Sequence, residues 1–327
     1  MLKRSAVALI APFVAQDLAR ASAEGGHPAA LTRMAGRGEL HLLPEHADLE
    51  PWRVGLLTTL GAADAVERYP EGAVIAAAGG SDAEACWLRA TPLNFTAGLN
   101  DLAANPLRGA HAVSAEHRAQ LATTLDPHLR ASGFELETVG GEWIVRALRG
   151  LNAVTKRPDL AVQDLGAAMP TGPDARQLRR LMAELQMLLH EHRVNESRAS
   201  AGLPQVNAIW LHGLGSARHA ERLELPDAFG NDLYLQGLYR LHGRSVQRPV
   251  HDAHTLLERK SPRVLAVVDD ATLEALEERW LTPLVRALRA HLIDTLELVI
   301  ARWRITLTRG ASLKVWRGAR PLARWPA

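Results

Sequence analysis

Residues 171–216 read TGPDARQLRRLMAELQMLLHEHRVNESRASAGLPQVNAIWLHGLGS. Thr171, Pro173 and Asp174 are typical of a helix start, because they cap free amides, suit the first turn and complement the helix dipole. Apolar side chains then recur at steps of three and four residues, which predicts a helix with one face in the core. These side chains are Leu178, Leu181, Met182, Leu185, Leu188 and Leu189, and His192 is expected to continue the same face.

An apolar run at residues 208–211 follows, bounded by turn residues, and it predicts a buried strand. Gly213 and Gly215 close the run, and glycine allows a sharp turn or the close approach of a ligand to the backbone. In open α/β sheets, ligands bind at the carboxyl ends of strands. We therefore predict a functional site near Leu211.

The polar residues before this strand allow a second interpretation. Asn195, Arg198 and Asn207 lie in the connector between the helix and the strand. Asparagine side chains commonly hydrogen-bond the backbone of turns. These three residues are thus expected either to bind a ligand or to hold the connector in shape.

The same segment resembles a known family. It contains HRVN at 192–195, Arg198, GLP at 202–204, VNAIWL at 206–211 and GLG at 213–215. This spacing resembles the HPVN..R..G.P..N..WL.G.G motif of bacterial cofactor-independent phosphoglycerate mutases of the RpfE regulatory type. A related string occurs in archaeal-type mutases of the alkaline phosphatase superfamily. Arg193 stands where the family has Pro, and His212 where it often has Trp.

A second string, WLRATPLNF at 87–95, resembles the WLRADPVHL string of the same family. Thr91 stands where the family usually has Asp, and Asn94 where it has His. Neither Thr nor Asn titrates near neutral pH, so any proton transfer by those family residues is lost here. Asp101 matches a position further on. The resemblance extends over about residues 85–322 and includes the Trp316-Arg317 and Arg320-Pro321-Leu322 segments.

Composition indicates a globular protein with one large core or two smaller ones. The 327 residues are 47% hydrophobic and 23% charged, and the net charge of +2 does not indicate a nucleic-acid or membrane partner. Cys86 is the single cysteine, which fits a reducing compartment, so we expect a cytoplasmic protein. Residues 1–23 could also form a signal peptide, but a strand followed by a helix explains the same residues and is the prediction that we adopt.

The order of predicted elements indicates an α/β fold. We expect a mainly parallel sheet with helices on both faces, an alkaline-phosphatase-like core, carrying a small inserted α+β subdomain. Residues 1–87 form the first part of the core, 88–170 the subdomain, and 171–327 the second part with a C-terminal hairpin. The predicted strands are 6–14, 73–78, 86–90, 134–138, 143–148, 208–211, 264–268, 296–300, 302–309 and 313–317. Besides the helix that follows Asp174, helices are predicted at 51–68, after Ser114, at 229–241 and at 272–291. The last of these is expected to bend at Pro283.

The mutases that this chain resembles need a specific set of metal ligands and a nucleophile. Two divalent metals held by Asp and His, and a Ser or Thr nucleophile, are required. The first strand runs into Gln16-Asp17 without an Asp-Gly metal site, and Asp269-Asp270 has no nearby His before His291. His251 and His254 are an alternative pair without a recognisable third ligand. We predict no metal and no cofactor, with Mn or Zn as the alternative for an active enzyme.

Six residues are the predicted ligand-binding set, and no catalytic residue is identified. Arginine suits phosphate or carboxylate, so the expected partner is a phosphorylated or other anionic small molecule. The set comprises Arg89, Asn94, Asn195, Arg198, Asn207 and His212.

Three functions follow from these patterns. The resemblance and the missing ligands favour a phosphoglycerate-mutase-like protein that has lost metal-dependent phosphoryl transfer and has a ligand-binding or regulatory role. One alternative is an active phosphomutase or phosphatase that interconverts 2-phosphoglycerate and 3-phosphoglycerate. The other is a nucleic-acid- or protein-binding module that uses the basic, tryptophan-containing segment 302–327. The sequence does not specify the oligomeric state.

Overall fold

A computed structural model describes residues 4–12, 14–24, 28–97, 102–161, 165–220, 222–268, 272–314 and 316–326. The residue contacts divide the chain into two compact units. Unit 1 contains Met1–His46, Glu50–Val66 and Arg222–Ala327, and unit 2 contains Ala47–Leu49 and Glu67–Glu221. The predicted boundaries after residues 87 and 170 both fall inside unit 2. Among the described helices, none combines the length and the apolar character needed to cross a membrane.

The strands are numbered along the chain. They are β1 (Arg4–Ala11), β2 (Glu39–Leu42), β3 (Cys86–Ala97), β4 (Leu102–Pro106), β5 (Phe134–Val139), β6 (Glu142–Ala147), β7 (Ala208–Gly215), β8 (Asp227–Phe229), β9 (Arg263–Val267), β10 (Ile293–Ile300) and β11 (Trp303–Thr308). The helices are α1 (Ala15–Ala23), α2 (Ala29–Arg37), α3 (Pro51–Thr59), α4 (Glu71–Gly79), α5 (Ala115–Ala131), α6 (Pro158–Ala161), α7 (Leu165–Ala168), α8 (Ala175–His190), α9 (Arg193–Ser200), α10 (Leu233–Leu241), α11 (Ala253–Leu257), α12 (Leu273–Ala275), α13 (Thr282–Arg289) and α14 (Arg309–Ser312).

Unit 1 is built on a six-stranded sheet of order β2-β11-β10-β1-β9-β8. Strands β10, β1, β9 and β8 are parallel, and β11 runs antiparallel to both of its neighbours. Val7 and Leu9 of β1 pack with α2 and α13 in one core cluster. On the other face, Gly55 of α3 approaches Val299 of β10. The predicted α/β class, with a mainly parallel sheet and helices on both faces, is confirmed.

Unit 2 is an antiparallel sheet of order β4-β3-β6-β5, with β7 paired to β3. Helices α5 and α8 share a core cluster with alternate residues of β6, Trp143, Val145 and Ala147. Ser114 caps α5 by accepting from the amide of His117, as predicted. The predicted hairpin about Gly140-Gly141 is β5 and β6. The inserted α+β part of the fold prediction is therefore confirmed.

The strand predicted at residues 73–78 is wrong, because these residues belong to helix α4. Pro70 precedes the helix, and Gly80, with a left-handed φ of 87°, ends it. Helix α4 is apolar and buried from Glu71 to Ala77. A helix buried on all sides shows no polar face, so its period does not distinguish it from a buried strand.

The predicted place of the 208–211 strand is also wrong. Strand β7 exists, but it pairs antiparallel to β3 in unit 2 and does not belong to the parallel sheet. Helix α8 begins at Ala175, after Asp174, while Thr171 forms a β-bridge with Val154. The connector after α8 contains a helix, α9, which His192 caps.

The predicted C-terminal hairpin is wrong as well. Strand β11 pairs with β10 and β2, and α14 follows it, so residues 313, 314, 316 and 317 do not form its partner strand. The edge strands of the sheet are β2 and β8, and the basic strand β11 lies inside the sheet. The predicted bend at Pro283 lies next to a π-helical turn, Leu276–Leu281, that joins α12 to α13. Asp101, Asp269 and Asp270 lie outside the described residues.

Candidate functional site

The pairing of β3 with β7 brings the two family-like strings together. Arg89 lies opposite His212, and Leu93 lies opposite Ala208. The predicted ligand-binding residues fall into two groups along this strand pair. Arg89 and His212 lie toward one end, and Asn94, Asn195, Arg198 and Asn207 lie toward the other.

The first group surrounds a buried carboxylate that the sequence interpretation missed. Glu71 begins α4, is 1% exposed, and accepts a hydrogen bond from Nη1 of Arg89. Its other oxygen lies 3.5 Å from Nδ1 of His212. Nε2 of His212 lies 2.9 Å from Oγ1 of Thr91, and Nη2 of Arg89 donates to Oε2 of Glu142 at 3.0 Å. We call these five residues the Glu71 cluster.

Two glycines allow the first turn of α4 to reach the strands. A Cβ atom at Gly213, where φ is 66°, would lie 2.8 Å from Cβ of Glu71. A Cβ atom at Gly72 would lie 2.8 Å from the backbone of Leu88 in β3. Gly213 was predicted to allow a sharp turn or the approach of a ligand; in the structure it allows the close approach of helix α4.

The charges of the Glu71 cluster are balanced by a neighbouring arginine, Arg118. Glu142 lies between Arg89 and Arg118, whose Nη2 is 3.8 Å from Oε1. Burial opposes ionisation of Glu142, but the charges of Arg89 and Arg118 outweigh it and lower the pKa of this carboxyl group. Arg118 also lies 5.6 Å from the ring of Trp143. With two arginines facing two carboxylates, this group is not a strongly positive anion site.

The second group holds the backbone of the connector. The side chain of Arg198 is fully buried, and it donates to the carbonyls of Pro204 at 2.7 Å, His111 at 2.7 Å and Ala112 at 3.3 Å. Burial lowers the pKa of this guanidinium below its ordinary value. Arg198 thus ties the end of α9 to the segment before α5.

The asparagines act on neighbouring strands and turns. Asn195 donates to the carbonyls of Leu189 and Val206, each at 2.9 Å, and accepts from the amide of Val206 at 2.7 Å. Asn207 accepts from the amide of Phe95 at 2.6 Å and donates to its carbonyl at 2.9 Å. These hydrogen bonds hold the connector in shape, which is one of the two roles expected for these residues from the sequence. Ligand binding by the same residues stays a prediction.

Asn94, the last of the six, is also hydrogen-bonded within unit 2. It is 9% exposed, and its Nδ2 donates to the carbonyl of Gln205 at 2.9 Å. Thr91 and Asn94, the two departures from the family string, are therefore both held by short contacts to β7 or the residues just before it. Their ligand-binding role, like that of the other members of the set, is not decided by these contacts.

Within the described part of the chain, no group of three His, Cys, Asp or Glu side chains is arranged to hold a metal ion. His251 and His254 are both exposed, and Asp252 between them caps α11 by accepting from the amide of Thr255 at 2.7 Å. The donor set needed for two metals is thus not assembled by these residues. Asp269 and Asp270 are outside this statement because the structure does not describe them.

Sequence reasoning missed Glu71, Glu142 and Arg118. Glu71 follows Pro70, a pattern typical of a helix start, but the adjoining alanines were interpreted as a strand. Glu142 comes directly after the Gly140-Gly141 turn, where a charged residue is ordinary. The cluster would have been recognisable from the antiparallel pairing of the two family-like strings. The sequence alone does not reveal that pairing.

Comparisons with known proteins give a fold likeness only. No protein-family model matches the chain, and no curated protein sequence matches it. The PH0037 protein from Pyrococcus horikoshii is similar in structure, with a TM-score of 0.50 and 14% identity over 94% of this chain and 88% of that chain. The cofactor-independent phosphoglycerate mutase from Thermoplasma acidophilum DSM 1728 gives a TM-score of 0.46 and 14% identity over 100% of this chain and 95% of that chain.

Proposed function

We propose that this chain is a phosphoglycerate-mutase-like protein of the RpfE regulatory type that has lost metal-dependent phosphoryl transfer and has a ligand-binding or regulatory role. The observation that supports this most is the pairing of β3 with β7. The two strings that resemble the family begin more than a hundred residues apart in sequence, yet their strands, β3 and β7, pair with each other. Their similarity to the family therefore concerns one site.

The loss of phosphoryl transfer is supported by what replaces the family's ionisable residues. Thr91 contacts Nε2 of His212, and Asn94 donates to a backbone carbonyl. A hydroxyl and a carboxamide do not ionise near neutral pH and are weak metal ligands beside carboxylate and imidazole. Both positions thus serve hydrogen bonding in place of acid–base or metal chemistry.

The donor set supports the same proposal. A two-metal phosphoryl transfer needs two ions about 4 Å apart, each held by several Asp and His side chains. Beside the β3–β7 pair, the carboxylates that lie together are those of Glu71 and Glu142, and arginines pair with both. These residues do not fit the metal pair of the resembled mutases, so no catalytic step through metals is assigned to them.

The ligand we propose is a phosphorylated or other anionic small molecule, in a cytoplasmic protein. A thermal-shift assay of the full chain with 3-phosphoglycerate and with other phosphorylated metabolites tests this. We expect at least one of them to raise Tm, because a ligand that binds only the folded state stabilises it. The rise should survive an excess of EDTA. A rise that EDTA abolishes, or no rise with any of these ligands, contradicts the proposal.

A further inference from the structure

A surface pocket in unit 1 collects four arginines from two helices. It has a volume of about 190 Å³ and lies between α2 and α13. Arg33 and Arg37 occupy one face of α2, and Arg286 and Arg289 occupy one face of α13. Residues three and four apart share a helix face, so both helices direct this pocket-lining face toward the same space.

Among the described residues, these four arginines lack the carboxylate partners that Arg89 and Arg304 have. No Asp or Glu lines the pocket among the described residues, and within that part of the chain none of the four forms an ion pair. Arg33 donates to the carbonyl of Ala29 at 2.7 Å, and Arg37 to that of Ser312 at 3.2 Å. By contrast, Arg89 of unit 2 pairs with two carboxylates.

Three of the four charges, those of Arg33, Arg37 and Arg289, are close enough to act on one another. Burial lowers the pKa of Arg37, and the positive charges of Arg289 and Arg33 lower it further. Like charges three or four residues apart on a helix are destabilising. The cluster therefore opposes folding of the unliganded protein, and an anion in the pocket would relieve this repulsion.

Helix dipoles explain only part of the arrangement. Arg37 lies in the last turn of α2, and Arg286 and Arg289 lie in the last turn of α13, where positive charge is favourable. That effect acts at each helix end separately. It does not explain why Arg33 is included or why the two basic faces line one pocket.

We propose that this pocket is a binding site for a small, multiply charged oxyanion, either a phosphate ester or diphosphate or a polycarboxylate. The planar guanidinium fork binds both kinds of oxyanion through paired hydrogen bonds. Met34, Val285 and Leu307 supply an apolar part of the lining that suits the carbon portion of such a ligand. The site is independent of the proposed function, because it lies in unit 1 and contains none of the six residues predicted from sequence.

The pocket volume limits the ligand. Sites for drug-sized ligands occupy roughly 300–1,000 Å³, so about 190 Å³ suits a small metabolite better than a nucleotide. A nucleic acid would contact arginines well outside the pocket and gain affinity with chain length. We therefore expect a short anion to bind with all of its contacts inside the pocket.

Isothermal titration calorimetry on the full chain tests the site, with pyrophosphate and citrate as probes. The pocket variant is Arg33→Gln with Arg286→Gln. The control is Arg176→Gln with Arg279→Gln, which removes the same charge from two exposed helical positions outside the pocket. We expect saturable binding of at least one probe, weakened about tenfold or more in the pocket variant and less than twofold in the control. The stronger probe identifies the oxyanion class.

Folding of the variants is measured by thermal unfolding without ligand. The pocket variant is expected to have a Tm equal to or above that of the unaltered chain, because its like-charge repulsion is reduced. The proposal is overturned by no saturable binding of either probe. It is also overturned by equal weakening in the control.

Discussion

Replacing Arg198 by alanine should destabilise unit 2 strongly. The fully buried guanidinium donates to three backbone carbonyls, from Pro204, His111 and Ala112. The carbonyls of His111 and Ala112 lie just before helix α5, and that of Pro204 lies just after helix α9. Without the arginine, the carbonyls lose their partner, and a large cavity forms beside α9.

The size of the effect follows from the two short bonds of 2.7 Å. A hydrogen bond from a charged donor contributes about 1.5–3 kcal/mol, and the longer third bond adds less. We therefore expect a loss of about 3–6 kcal/mol in the free energy of unfolding, a large part of the 5–15 kcal/mol typical of a domain. Arg198→Lys should recover less than half of this, because a single ammonium does not reproduce the fork.

Urea unfolding, followed by far-UV circular dichroism, measures the change. Arg176→Ala is the matched control, because Arg176 is an exposed arginine on α8, and we expect it to change stability by less than about 0.5 kcal/mol. A loss below about 1 kcal/mol for Arg198→Ala, or full recovery by Arg198→Lys, would show that the carbonyl contacts do not hold the connector.

Two further perturbations address the Glu71 cluster. Gly213→Ala places a Cβ atom 2.8 Å from that of Glu71 at a left-handed φ, whereas Gly202→Ala has a similar φ of 69° and nothing within 4 Å. By urea unfolding, the first should cost about 1–3 kcal/mol more than the second, and equal costs would contradict the close approach of α4. Burial opposes ionisation of Glu142, but Arg89 and Arg118 outweigh it and lower the folded-state pKa below its ordinary 4.5. The ionised carboxylate therefore stabilises the folded protein above pH 4.5, and this stabilisation is lost as the pH falls through the folded-state pKa. Glu142→Gln should therefore flatten the decline of stability in acid, and an unchanged pH profile would disprove the pairing.

Local patterns predicted local elements well. The apolar spacing after Asp174 identified α8, Ser114 marked the start of α5, and Gly140-Gly141 marked the β5–β6 hairpin. Each of these depends on residues close in sequence, where propensity and capping act directly. The apolar run of β1 was also recognised as a strand, and its central place in the parallel sheet agrees with its apolar character.

Non-local pairing was not predictable from such patterns. The run at 208–211 is apolar enough for a parallel core strand, yet β7 pairs antiparallel to β3. The alanines of α4 fit a buried strand and a buried helix equally. Strand β11 pairs with β2, which lies more than 250 residues earlier in the sequence, and this left no partner strand for a terminal hairpin. Register between distant strands depends on tertiary packing, which one sequence does not reveal.

The candidate site shows the same division. The residues picked from the motif, including Asn195, Asn207 and His212, do cluster around the β3–β7 pair. The carboxylate that faces His212 and Arg89 comes from Glu71, in the element whose type was mispredicted. The arginine pocket of α2 and α13 was missed because its two halves are about 250 residues apart in the chain.

The most direct measurement is phosphoglycerate interconversion by the full chain, followed by ³¹P NMR with added Mn²⁺ or Zn²⁺ and, in parallel, with EDTA. A protein that has lost metal-dependent phosphoryl transfer should convert 3-phosphoglycerate to 2-phosphoglycerate no faster than buffer containing the same ions. Conversion that requires Mn²⁺ or Zn²⁺ and stops on chelation would contradict the proposed function.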